Sequence, residues 1–250
     1  MVTVVRAELR KLLGLPTAWA GLVLGTLLAP VTALLNAAST RRAIADGTYG
    51  DTSDLGLMYL GIGLIGPMIL GVVVMSSEYT STGEDSPGAR QLTATLAAVP
   101  DRRRLLTAKT LALVLVVAVQ AVVTAAAALG LTQMLHAEHF RVPSPARIAA
   151  AILYWVLTAL LAYAITLITR NGIVPLTLLI LNSTVVSVSY LLTKVTDLAA
   201  YLPDIAGAHM FIRSADFPVE IAPVTAGLVM TAWVVALLAA GAVLFHRRDA

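Results

Sequence analysis

The chain has 250 residues, of which 58% are hydrophobic and only 12% are charged, and its mean hydropathy is +0.87. Because a soluble domain is about a quarter charged, this composition excludes an ordinary soluble protein and predicts one integral membrane domain over residues 1–250. The net charge of +3 is typical of loops that face anionic lipid rather than of a nucleic-acid surface, and the absence of cysteine excludes disulfides, thiol nucleophiles and cysteine-bound metals.

The N-terminal segment MVTVVRAELRKLLG predicts an amphipathic helix that lies in the membrane interface. Its apolar and basic residues fall on largely opposite helical faces: Val5, Leu9, Leu12 and Leu13 against Arg6, Arg10 and Lys11. We expect the three basic side chains to reach lipid headgroups and anchor the chain. A plain basic flank that orients the first span is the alternative.

Long apolar blocks follow and predict an all-α fold with six transmembrane helices. The blocks are 15–37, 55–75, 105–135, 148–169, 173–193 and 222–245. As a helix each reaches about 30 Å, which is enough to cross the hydrocarbon core of a bilayer. The third block is longer and is expected to project beyond the membrane at one end. The first is too long for a signal peptide and is interpreted as a retained span.

The distribution of Lys and Arg predicts the orientation of these spans. With the N-terminus inside, eleven of the 17 basic residues fall in cytoplasmic segments and six fall outside. Positively charged loops are retained in the cytoplasm, so we expect both termini to be cytoplasmic.

Small residues in the first two spans are spaced for close helix contact. Gly21 and Gly25 form a GxxxG pair, and Gly61, Gly63, Gly66 and Gly71 lie in the second block. Such spacing lets helix backbones touch. Both a contact with a second chain and packing within this chain remain open.

The embedded residues disfavour several classes of transporter and enzyme. Gln120 and Asn182 are the strongly polar side chains within the spans and are possible contributors to a substrate path. A proton- or sodium-driven pump normally needs embedded carboxylates or histidines. The sequence has no HExxH, GxSxG or GxxxxGK[ST] motif, and HAEH at 136–139 is interpreted as a solvated turn rather than a metal site. We therefore expect no catalytic, metal or ATP-binding site in this chain.

A charged stretch, SSEYTSTGEDSPGARQLTATLAAVPDRRRLLTAK at 76–109, separates the second and third spans. Its order of EY, glycine, RQ, L.ATL..VP, RRR and LL.AK resembles the first intracellular loop of type 2 ABC transporter permeases. In that family the loop is a short coupling helix that binds a groove on a separate ATPase. Here the insert Thr80–Ala89 departs from the family pattern, so the side of the insert that supplies the contact stays open.

The resemblance implies roles for individual residues. Contact with the ATPase is implied for Glu78, Tyr79, Arg90, Gln91 and Leu92. A solvated charge at a helix end is the alternative for Glu78. Anchoring at the lipid phosphates is implied for Arg102, Arg103, Arg104 and Lys109, with positive-inside anchoring alone as the alternative for the arginines. A partly re-entrant pair of short helices between spans five and six is implied by an LP..AG element, Leu202, Pro203, Ala206 and Gly207.

The function implied by the resemblance is that of a permease subunit of an ATP-driven exporter in a bacterial plasma membrane. The expected partners are a P-loop ATPase that binds ATP and magnesium, a second permease chain of the same or a paralogous sequence, and the lipid bilayer. The nearly charge-free spans favour an amphipathic or hydrophobic substrate, such as a drug, a lipid-linked molecule or an antimicrobial peptide. The alternatives are a peptide-immunity or sensor subunit, and a secondary transporter or channel that needs no ATPase.

Overall fold

The computed structural model describes residues 1–49, 52–79, 95, 97, 101–182, 188–213 and 219–247. These residues fold as α-helices joined by short turns and contain no strand, which confirms the all-α prediction. The helices are α1 (Val2–Leu13), α2 (Pro16–Ala45), α3 (Leu57–Leu60), α4 (Ile65–Ser76), α5 (Arg102–Leu135), α6 (Pro145–Thr169), α7 (Ile173–Ile180), α8 (Val188–Thr193), α9 (Pro203–His209) and α10 (Pro223–Arg247). Short 3₁₀ turns lie at Thr52–Asp54, Ile62–Leu64 and Asp197–Tyr201.

The helices that are long and apolar enough to cross a membrane match five of the six predicted blocks. Among the described residues they are Pro16–Ala45, Leu57–Ser76, Arg102–Leu135, Pro145–Thr169 and Pro223–Arg247. The remaining block, 173–193, is represented by α7 and α8, and residues 183–187 between them lie outside the described ranges. The count of six spans and the position of α1 in the membrane interface therefore stay predictions.

Local capping explains where two of the long helices begin and end. The Asp101 side chain accepts hydrogen bonds from the backbone N–H groups of Arg103 (2.9 Å) and Arg104 (3.2 Å), which starts α5. Ser144 caps α6 in the same way, ahead of a proline at its first position. This helix ends at Arg170, whose φ of 52° is left-handed and stops the helical ladder.

The helix pair Leu57–Ser76 forms the centre of the bundle. In its most apolar window 72% of the residues are buried, whereas the figure for α10 is 22%. On either side α4 packs against α2 and α6, and α6 also packs against α10. The α1 helix lies along α5, with Leu12 in the core. The buried indole of Trp155 also has a hydrogen-bond partner, since its Nε1 donates to the Leu60 carbonyl oxygen at 3.2 Å.

The glycines of the first two spans pack against one another within the chain. A Cβ placed on Gly66 would lie 2.5 Å from the Cα of Gly25 and 2.6 Å from the carbonyl oxygen of Gly21. No side chain fits at that separation, so the two helices need glycine here to approach as closely as they do. Of the two possibilities left open by the sequence, packing within the chain is the one that the structure shows for Gly21, Gly25 and Gly66.

Replacing Gly66 with valine should force α2 and α4 apart. We expect the Gly66→Val chain to lose about 1–3 kcal/mol of unfolding free energy, the usual cost of overpacking. The measurement is thermal or denaturant unfolding of the purified chain in detergent. Gly130→Val is the matched control, because a Cβ at Gly130 meets nothing within 4 Å. Equal losses in the two variants would contradict the close contact.

Candidate functional site

Two lysines and two glutamates meet where α1, the end of α4 and the start of α5 come together. Lys109 Nζ lies 2.6 Å from Glu8 Oε2 and 2.6 Å from Glu78 Oε1. Lys11 Nζ donates to the same Glu78 oxygen. We call these four residues the Lys109 cluster. It connects the N-terminal helix to both sides of the 79–101 segment, since Glu78 precedes that segment and Lys109 follows it.

The charges of the Lys109 cluster are balanced, and all but that of the partly exposed Lys11 are buried. Lys109 is 2% exposed and Glu78 is fully buried. Two positive and two negative side chains make the cluster neutral, which is the condition under which charges are tolerated inside a protein. The second oxygen of Glu78 accepts a hydrogen bond of 3.2 Å from Thr95 Oγ1. Burial by itself raises the pKa of Glu78, but the charges and hydrogen bonds of Lys109 and Lys11 outweigh it and lower the pKa below its ordinary value.

A second buried ion pair joins three segments beyond the other end of α5. Arg147, in the first turn of α6, donates to the Asp54 carboxylate and, through Nη1, to the Ser53 carbonyl oxygen at 2.9 Å. Its Nε and Nη2 donate to the carbonyl oxygen of Phe211, at 3.0 and 2.8 Å. The Arg213 backbone N–H donates to the other Asp54 oxygen at 2.7 Å. This Asp54–Arg147 pair holds the segment after α9 against the starts of two long helices.

A cavity of about 520 Å³ lies between α6, α7, α8, α9 and α10. Most of its wall is apolar and comes from leucine, isoleucine, valine, methionine and proline side chains. Its polar and aromatic lining residues are Tyr154, Thr158, Asn182, Ser189, Asp204 and Trp233. A mostly apolar cavity with a few converging polar groups is the usual form of a site for a small molecule.

Hydrogen bonds of Asn182 connect the polar residues of this cavity. Asn182 Nδ2 donates to Asp204 Oδ2 at 2.8 Å and to Ser189 Oγ at 3.2 Å. Asn182 Oδ1 accepts from the Ser189 backbone N–H at 3.3 Å. One amide therefore joins the end of α7 to the starts of α8 and α9.

Comparison with known proteins decides the family. A family model described as ABC-2 family transporter protein matches residues 4–186. The chain belongs to the ABC-2 family. The resemblance to type 2 ABC permeases is thereby confirmed, and the chain is a transporter permease component. Searches of curated proteins and of solved structures found no significant match.

The match covers the Lys109 cluster of this ABC-2 permease in full and its cavity in part. All four residues of the cluster fall within residues 4–186, as do the Asp54–Arg147 pair and Asn182. Ser189, Asp204 and the α10 wall of the cavity follow the matched range. The family match therefore covers the whole of the Lys109 cluster but only part of the cavity wall.

The residues expected to contact the ATPase divide into two groups. Glu78 is buried in the Lys109 cluster rather than solvated, and its contact with an ATPase stays a prediction. The Tyr79 ring lies 5.8 Å from the Arg170 guanidinium, and this geometry is a cation–π contact. Arg90, Gln91 and Leu92 lie outside the described residues, as does the insert 80–89. Their contact with an ATPase stays a prediction.

The residues expected to anchor the permease at lipid phosphates are also divided. Side chains exposed to the surroundings are those of Arg6, Arg10, Arg103 and Arg104. Arg102 instead donates to the carbonyl oxygen of Phe245 at 2.8 Å, which ties the start of α5 to the end of α10. The structure places the ammonium groups of Lys11 and Lys109 on carboxylates rather than toward phosphates, because the neighbouring glutamates would otherwise be buried without a counter-charge.

The two polar residues of the predicted substrate path have separate environments. Asn182 lines the cavity. Gln120 does not, and its Nε2 donates to the carbonyl oxygens of Gly21 and Leu22, both at 3.1 Å. Gln120 therefore joins α5 to α2 beside the close glycine contact.

The LP..AG element begins at Leu202, which lies between the 3₁₀ turn and α9, and continues as the first five residues of that helix. Leu202 and Pro203 line the cavity, whereas Ala206 is fully buried. A Cβ on Gly207 would lie 1.9 Å from Tyr154 Cε2, so only glycine fits against that ring. Whether this element enters the membrane stays a prediction.

Four residues of these sites were missed by the sequence analysis: Glu8, Asp54, Arg147 and Asp204. Their only sequence signal is an isolated charge, within α1 for Glu8 and at or near a helix start for the other three, and most such charges are solvated. Their partners lie far away along the chain, as with Lys109 and Glu8, which are 101 residues apart. Local patterns contain no information about such pairs.

Removing the Lys109 ammonium should destabilise the permease strongly. We expect Lys109→Met to lose about 3–5 kcal/mol of unfolding free energy, because two buried carboxylates are left without a cation between them. The measurement is unfolding of the purified chain in detergent. Arg104→Gln is the control, since it removes one positive charge from an exposed position on the same helix. Similar behaviour of the two variants would show that the cluster contributes nothing.

The lowered pKa of Glu78 predicts how stability depends on pH. A carboxyl whose pKa is lowered on folding contributes its full stability above its unfolded value, here 4.5, and loses it as the pH falls through the lower folded value. We expect the stability advantage of the wild type over Glu78→Gln to be constant near neutral pH and to shrink below 4.5. Parallel unfolding measurements of both chains along a descending pH series test this. An advantage that grows on acidification would contradict the ion pairs.

Proposed function

We propose that this ABC-2 permease is the membrane subunit of an ATP-driven exporter, and that it moves an amphipathic or hydrophobic substrate outward across a bacterial plasma membrane. In this proposal both termini are cytoplasmic. A separate P-loop ATPase binds ATP and magnesium, and a second permease chain of the same or a paralogous sequence completes the transporter. The observation that supports the substrate class is the mostly apolar cavity of about 520 Å³.

The size and the lining of the cavity favour a small amphipathic substrate. Its volume falls within the range of about 300–1,000 Å³ that is usual for small-molecule sites, which favours a drug-sized compound over a large peptide. Apolar side chains such as Leu161, Leu178 and Leu237 suit a hydrophobic body. The group around Asn182 and Asp204 suits one polar substituent.

The Lys109 cluster supports a route by which the ATPase could move the helices. In the proposal the ATPase contacts residues 80–100, and the energy comes from the difference in its affinity for ATP between two states of the transporter. Glu78 and Lys109 stand on either side of that segment and bind each other at 2.6 Å. Separating them would leave buried charges unpaired, so α1, α4 and α5 are expected to respond to the ATPase as a unit.

Transport by inverted membrane vesicles tests the proposal. The permease is co-expressed with a candidate partner P-loop ATPase, and uptake of lipophilic and hydrophilic fluorescent dyes is followed with and without ATP. We expect ATP-dependent uptake of lipophilic dyes, because export in the cell corresponds to uptake in inverted vesicles. An ATPase variant that lacks its P-loop lysine is the control and should abolish uptake.

Other outcomes would overturn separate parts of the proposal. Uptake by vesicles that contain this chain alone, without ATP, would indicate a secondary transporter or channel. ATP-dependent loss of dye from the vesicles would indicate import. Uptake confined to hydrophilic dyes would contradict the substrate class while leaving the ATP-driven mechanism in place.

A further inference from the structure

We infer that the cavity selects substrates that carry a positive charge on an apolar body, and that Asp204 recognises the charge. The inference rests on the proposed function, because it names a substrate class for the same cavity. Asp204 is the one charged side chain among the described residues that line the cavity, and no lysine or arginine is among them. The charge of the cavity wall is therefore negative.

Asp204 differs from the other acidic residues at the sites described above. Glu8, Glu78 and Asp54 each lie in an ion pair with a lysine or arginine. Within the part of the chain that the structure describes, Asp204 forms no such pair, and its side-chain partner is the neutral amide of Asn182. No basic side chain among the described residues thus compensates its negative charge. In a mostly apolar cavity the attraction of such a charge for a cation is stronger than in water.

The hydrogen bonds around Asp204 hold one carboxylate oxygen and leave the other for a ligand. Asn182 has two N–H donors, and these are directed to Asp204 Oδ2 and Ser189 Oγ. For Asp204 Oδ1 the structure shows no hydrogen bond from the described residues. A bound cation can approach that oxygen without displacing any donor among the described residues.

Aromatic residues in the same wall add to the recognition of a cation. Tyr154 and Trp233 both line the cavity. Trp233 Nε1 already donates to the Tyr201 carbonyl oxygen at 2.9 Å, so the polar end of the indole is satisfied by the protein. Aromatic rings attract organic cations through their π-electrons, and they bind apolar groups equally well. A carboxylate with two aromatic residues in an apolar cavity is suited to a lipophilic cation.

A structural role for Asp204 makes a different prediction. Asp204 lies in the first turn of α9, where a negative charge also stabilises a helix. If that were its only role, replacing it would alter the stability of the protein and would affect ligands of either charge alike. Two probes of the same shape and opposite charge therefore separate the two roles.

The test uses tetraphenylphosphonium and tetraphenylborate with the full chain in lipid nanodiscs. Binding is measured by quenching of tryptophan fluorescence, and the signal of empty nanodiscs is subtracted. We expect Asp204→Asn to weaken binding of the phosphonium roughly tenfold, the effect of losing one nearby charge in a partly solvated site, and to leave borate binding unchanged or stronger. Asp204→Glu keeps the charge and should retain most of the phosphonium affinity. Asp197→Asn, at an exposed position in the preceding 3₁₀ turn, is the matched control and should change neither probe.

The outcomes that overturn the inference are distinct from those that overturn the proposed function. If Asp204→Asn weakens both probes equally, or neither, the charge selection is wrong while the cavity still stands as the substrate site. If the wild type does not bind the phosphonium, the inference is overturned, whereas the vesicle assay alone decides the proposed function. Thermal unfolding of each variant shows whether a loss of binding reflects loss of the folded protein.

Discussion

The need to pair every buried charge is the constraint on which this structure depends. Lys109 lies in an apolar bundle and is 2% exposed, so the bundle has to bring carboxylates to it. Glu8 and Glu78 come from different helical segments and meet that requirement. Beyond the other end of α5, the buried Arg147 and Asp54 meet it in the same way. The Lys109 cluster thus fixes the positions of α1, α4 and α5 at one end of the bundle. At the other end, the Asp54–Arg147 pair fixes α6, the segment after α9 and the start of the second predicted span.

The Lys109 cluster contributes a residue on each side of the segment between the second and third spans, residues 80–100. Glu78 precedes the segment and Lys109 follows it, and the two bind each other directly. Separating this ion pair would leave buried charges without partners, which is costly. The N-terminal helix α1 joins the same ion pair through Glu8 and Lys11. In an ABC-2 permease, this is the region where a partner ATPase is expected to act.

The cavity depends on a different feature of the bundle, the position of Asn182 in its wall. Asn182 lies two residues beyond the end of α7 at Ile180, and its amide bonds to residues of other helical segments. It binds Asp204 and Ser189, and so an acidic residue is held at the wall of an apolar cavity. The close packing of Gly207 against the Tyr154 ring positions α9 in the same wall.

The sequence by itself determined the all-α membrane class, the approximate bounds of five long helices, the segment that resembles a coupling helix, and the family. These follow from composition and short motifs, which are local properties of the chain. Only the tertiary structure decided that Glu78 and Lys109 are buried partners, that Gln120 joins two helices while Asn182 lines a cavity, and that Asp204 lies beside Asn182. Lys109 and Glu8 are 101 residues apart, and Arg147 and Asp54 are 93 apart. A charged residue has the same local sequence whether it is solvated or paired with a distant partner. Only the folded chain distinguishes a solvated charge from a paired one.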